Sequence, residues 1–159
     1  MTRRALSALA LVMLLPLGAV TPARADQDNC TQQIRRVRVP GGFAEARVSF
    51  VGVLTNGRNR AGESFPGAGL RELRLVVDWT EVEKVHHQRI ELSSPDGELY
   101  QRFATAFLGT GRPVTVTTRL PVTGSSITDA GLYGEWCAEV FLDDEDAPIA
   151  RRRFFLTAP

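Results

Sequence analysis

Apolar and polar positions along this chain fall into short runs of period two, separated by turn residues. The sharpest run lies near the C-terminal end, where Trp136, Ala138, Val140 and Leu142 alternate with Cys137, Glu139, Phe141 and Asp143. After the acidic residues Asp143, Asp144, Glu145 and Asp146, the alternation resumes at Ala150, Arg152, Phe154 and Leu156. Successive side chains of an extended strand point to opposite faces, so each run gathers its large apolar members on one side. The two runs together predict a closing β-hairpin with the acidic residues at its tip.

Earlier runs follow the same logic. Residues 34–39 read as a short edge strand with an arginine-rich outer face, since charge on an edge discourages strand addition. Residues 46–54 read as a firmer strand, and residues 55–69, rich in Gly and Pro, read as a long featureless loop and the first place to look for binding. Residues 70–79 fit a strand central to a sheet. A helix over 70–84 competes, because Leu70, Leu73 and Val77 also match helical spacing, but the pair Val76 and Val77 favours the strand. Residues 88–92 and 99–107 flank Ser94, Pro95, Asp96 and Gly97. Pro second and Gly fourth suit a type I turn between paired strands. Residues 113–120, alternating Val and Thr, predict one more strand, and 121–131 a crossing loop. Seven or eight strands with frequent turns and no firm helix point to an all-β, antiparallel β-sandwich.

The N-terminal segment changes which residues count toward that fold. Arg3 and Arg4 precede a sixteen-residue apolar run, and Ala23 and Ala25 supply small residues for cleavage, as in a secretory signal peptide. The expected organisation is a signal peptide at 1–25, with the mature chain starting at Asp26, and one domain over 26–159. The run is short of the roughly 20 residues a spanning helix needs; a retained anchor is the alternative. Of 19 Lys and Arg, three lie in this segment, so the mature chain carries 16 basic against 18 acidic residues. A net charge near −2 with interspersed signs gives no reason to expect nucleic acid. In an exported chain the two cysteines, Cys30 and Cys137, are expected to pair. Localisation is therefore expected to be secreted, periplasmic or extracellular, with no stable membrane insertion after cleavage.

Asp129, Ala130, Gly131, Leu132 and Tyr133 resemble the segment by which immunoglobulin-type domains enter their penultimate strand, with an Asp, a Gly and a corner Tyr before the cysteine. Cys137 follows Tyr133 by four residues rather than two. A bridge from Cys30 would therefore differ from the usual inter-sheet one. The last hairpin is similar to that of bacterial secreted immunoglobulin-like or fibronectin-III-like modules. The resemblance implies a fold; such folds serve adhesion, carbohydrate binding, assembly and spacing alike.

Candidate chemistry is sparse. His86 and His87 are adjacent, so in a strand they point to opposite faces and could not both ligate one metal without a bulge; both are expected at an exposed strand end. The acidic tip has oxygen ligands but not the spaced pattern that wraps calcium. Ser93, Ser94, Ser125 and Ser126 carry no nucleophile signature. No catalytic residue, metal or cofactor is expected. The binding candidates are Trp79 and Tyr100, as exposed aromatics for a sugar, and the run Arg151, Arg152 and Arg153, for an acidic glycan or surface. Trp136 is expected in the core. The expected function is a non-catalytic binding or structural module of the cell envelope with a protein or glycan partner; the alternative is a carbohydrate- or small-ligand-binding periplasmic domain.

Overall fold

The architecture turns on one long hairpin. In this computed structural model, which describes residues 30–40 and 42–159, strand β7 (Leu70–Ser93) and strand β8 (Leu99–Pro121) pair antiparallel along their lengths. Ser94, Pro95, Asp96 and Gly97 close the hairpin as the sequence predicts, with Gly97 N donating to the Ser94 carbonyl at 2.9 Å. The expected leader and its cleavage site lie outside the described residues.

Period two explains the strand over 70–79: Leu73, Leu75, Val77 and Trp79 are buried, all odd positions. A bulge between Trp79 and Val82 then reverses the phase, so that Val82, His86, Gln88, Ile90 and Leu92 are the buried residues of the second half. Strand β8 does the same in reverse, burying Phe107 in its first half and Val116, Thr118 and Leu120 in its second. The runs 99–107 and 113–120, expected as two strands, are thus one strand bent in the middle. Gly109 sits in that bend against β7; a Cβ there would lie 2.3 Å from the Val82 carbonyl oxygen.

Because the hairpin bends, its two halves belong to two layers. The first half of β7 pairs with β4 (Ala46–Leu54), which pairs in turn with β5 (Asn59–Ala61). The second half pairs with β9 (Gly134–Leu142), and β9 pairs with β10 (Ala150–Thr157) as the predicted closing hairpin. The outer edge of β10 is covered by β1 (Gln33–Ile34), antiparallel, and β6 (Ser64–Pro66), parallel. Strands β2 (Val37–Val39) and β3 (Gly42–Ala44) form a separate small hairpin. The result is the expected all-β sandwich, antiparallel except for β6.

Two expectations are corrected. Residues 34–39 are not one edge strand: β1 and β2 lie in different sheets, and Arg35 and Arg36 are engaged with Glu145 and Glu45 at 2.8 and 3.0 Å. Residues 55–69 are not featureless, since they carry β5 and β6 and bury Phe65 completely. There is also one short helix, α1 (Ser126–Asp129), whose N-cap Ser125 accepts from Ile127 N through its hydroxyl.

The core joins the layers through aromatic contacts. Phe50 of β4 meets Phe154 of β10 with ring centroids 5.0 Å apart, and Trp136 stacks on Phe154 at 5.8 Å. Such pairs add about 0.5–1.5 kcal/mol beyond the area they bury. Tyr133 of the immunoglobulin-like segment packs over Gly67, where an added Cβ would lie 2.5 Å from its ring. That close approach requires glycine at 67.

Cys30 and Cys137 are joined, their sulfurs 2.06 Å apart. Cys137 is half-buried while its neighbour Trp136 is fully buried, so the bridge lies on the outer face of β9. It pins the N-terminal arm and does not connect the layers.

Candidate functional site

The arginine run illustrates how alternation distributes identical residues. Arg151 and Arg153 stand on the outer face of β10, opposite Glu139 and Cys137 in register. Arg151 Nε lies 2.5 Å from Glu139, and Arg153 lies 3.8 Å from Glu135. Arg152 points between the layers. It donates twice to Glu63 Oε1, at 2.9 and 2.7 Å, and once to the Val48 carbonyl of β4 at 2.7 Å. The run is therefore not one basic patch, because Arg152 works as a tie between β10, β4 and the segment before β6. Both donors of the Glu63 contact converge on one carboxylate oxygen, a charge-assisted pair that fixes the guanidinium in place.

A cleft of about 300 Å³ opens where the edges of the two layers meet. Its walls are Gln32, Gln33 and Ile34 from the arm and β1, Arg47 and Val48 from β4, and Ala150, Arg151 and Arg152 from β10. Three arginines and two glutamines are among its lining residues and no Asp or Glu is, with Arg151 and Arg152 already paired to Glu139 and Glu63 beside it. Arg47 is the least engaged, its side chain 75% exposed and its one ion contact 3.9 Å away at Glu45. Planar fork donors and carboxamides suit a carboxylate or sulfate with neighbouring hydroxyls. Sequence reasoning named Arg151 and Arg152 but missed Gln32, Gln33 and Arg47. They come from a separate strand and from the arm, and only the tertiary fold unites them.

The aromatic candidates fare differently. Trp79, expected to be exposed, is 1% exposed. It lies on the inward face, stacks on Phe107 at 5.4 Å, and donates from Nε1 to Gln88 Oε1 at 2.8 Å. Tyr100 is half-buried with its ring edge on Trp136 at 5.0 Å and its hydroxyl on Ser126 at 2.6 Å. Trp79 and Tyr100 thus form no open sugar-stacking platform.

The histidines alternate as expected, with His87 exposed, but His86 is 4% exposed rather than at an open strand end. Its Nδ1 lies 2.8 Å from Asp143 Oδ2 and its Nε2 2.8 Å from the Glu83 carbonyl. Asp143 also accepts from His87 N and donates its own N–H to the His87 carbonyl. Lys84 and Asp143 are the two non-glycine residues at positive φ among those described. This knot fastens the end of β9 to the bend of β7. Asp143 is thus bonded to both histidines although its side chain stays 41% exposed. Glu145 of the same acidic run holds Arg35. Among the described residues, no group of three or more His, Cys, Asp or Glu side chains is placed to hold a metal ion, and no helix is long and apolar enough to cross a membrane.

No protein-family model matches the chain, and no curated protein matches it in sequence. Among solved structures, it is similar to an immunoglobulin-like protein, PA1606, from Pseudomonas aeruginosa, with a TM-score of 0.38 and 14% identity over 78% of this chain and 96% of that one.

Proposed function

We propose that this chain is an exported, non-catalytic β-sandwich module of the cell envelope, periplasmic or extracellular, that works by binding an acidic partner. The observation that carries the reading is the cleft between β1, β4 and β10, with three arginines, two glutamines and no carboxylate on its walls. The disulfide supports export, because such bonds form and persist in oxidising compartments. The acidic partner is a glycan bearing carboxylates or sulfates, for which arginine forks give directional recognition and glutamine amides reach hydroxyls.

Calorimetric titration of the purified chain with polyuronate, sulfated oligosaccharide and neutral oligosaccharide tests this. Binding is expected for the anionic glycans alone, weakening with added salt as exposed charge interactions do. Arg47→Glu should abolish it without changing the circular dichroism spectrum, since Arg47 makes no close ion pair. Equal binding of neutral glycans, or full binding by Arg47→Glu, overturns the reading.

A further inference from the structure

The two flanks of the sandwich are treated differently. At one, β10 is covered along its outer edge by β1 and β6. At the other, β8 pairs with β7 on one side, and among the described residues no strand pairs with its other side. Since β8 runs 23 residues through both layers, its free edge presents a long row of backbone donors and acceptors. Such an edge is a template for a further strand.

The side chains decide what that strand is. β8 holds no Asp, Glu or Lys, and its three charges are Arg102, Arg112 and Arg119. Arg102 is neutralised by Glu91 at 2.8 Å. Arg112 and Arg119 are exposed and make no ion pair among the described residues. They bracket residues 113–118, a stretch rich in Val and Thr, with Pro113 ending the continuous ladder on the bend side. A second copy of this chain pairing there would bring more arginines and no carboxylate into the seam. An extended segment carrying carboxylates would neutralise both.

We propose that the free edge of β8 over residues 112–120 is a strand-addition site for an extended acidic segment of a partner protein, with backbone ladder bonds supplying affinity and Arg112 and Arg119 selecting its charge. The two arginines lie seven positions apart in sequence, about 24 Å along an extended strand, so the partner's carboxylates should be spaced likewise.

The test uses labelled synthetic peptides of alternating Val and Thr with two Glu at that spacing, and the same peptide with Lys in place of Glu. Fluorescence anisotropy should show the Glu peptide binding and the Lys peptide not. Hydrogen exchange should show new protection in β8 and none at the Arg47 cleft, which separates this site from the one proposed above. In Arg112→Glu with Arg119→Glu, the Glu peptide should weaken about tenfold or more and the Lys peptide should now bind. That reversal also proves the variant folded. Equal binding of both peptides, absence of binding at about millimolar peptide, protection outside β8, or dimerisation of the free chain through this edge each overturn the proposal.

Discussion

Replacing both cysteines, Cys30→Ser with Cys137→Ser, should release the N-terminal arm while leaving the sandwich folded at room temperature. The bridge spans a sequence separation of 107, for which the chain-entropy model gives about 4–5 kcal/mol. Domain stabilities are about 5–15 kcal/mol, so the loss is large without being fatal. For a domain of this size it corresponds to a melting temperature lower by roughly 12–25 °C. The arm has little else to hold it. Strand β1 contributes a two-residue ladder to β10, Arg35 N donates to the Ile149 carbonyl at 2.7 Å, and the Arg35 to Glu145 pair is more than a third exposed. Exposed pairs of that kind contribute about 0–1 kcal/mol. From Val37 onward the chain enters the core. Trypsin should therefore cut after Arg35 and Arg36 in the variant well before any site in β7 or β8, whereas the parent resists. Differential scanning calorimetry and timed digestion read by mass spectrometry check both halves of the claim. A variant that melts within about 3 °C of the parent, or whose Arg35 and Arg36 stay protected, would refute the reasoning.

Gly109→Ala would force a Cβ to within 2.3 Å of the Val82 carbonyl oxygen, a backbone atom that cannot rotate away; overpacking of this kind costs about 1–3 kcal/mol, and an unchanged urea midpoint would contradict it. Asp96 in the hairpin turn has its carboxyl held below the usual 3.8, first by the Ser94 hydroxyl bonded to it. A depressed folded value means the contribution is present above the ordinary pKa and disappears as pH falls through the lower one. In Ser94→Ala the Asp96 titration, followed by NMR, should move back up toward 3.8, and a curve identical to the parent's would refute the assignment.

Local pattern carried the elements that are local. The turn over Ser94, Pro95, Asp96 and Gly97 and the β9–β10 hairpin were readable because their pairing partners adjoin them in sequence. Trp79 was misplaced although the pattern contained the answer: it continues the odd positions Leu73, Leu75 and Val77, all buried, and so had to face inward. His86 likewise continues the even positions Gln88, Ile90 and Leu92, all buried, but its partner Asp143 left no trace, being 57 residues away in an acidic run that reads as solvent-facing. Strand β6 is three residues long and pairs in parallel with the far end of the chain, too short for any period to register. A fully buried Phe65 in a turn-rich stretch was its one sign.

The bend of the hairpin joins the misread topology to the proposed surface. A β-bulge bends a strand and adds a residue to its count, so the buried positions change from odd to even where the strand passes from one layer to the other. The bulge between Trp79 and Val82 accomplishes this in β7, and the segment around Gly109 does so in β8. In sequence such a reversal looks like two strands divided by a breaker, which is how Pro113 came to mark a strand start. In three dimensions it makes β8 the outermost strand of both layers at once. A conventional loop between two separate strands would have left two short edges, each easily blunted. The continuous strand leaves one long edge whose exposed charges are all arginines, and edge charges that repel a second copy of this chain still admit an acidic strand.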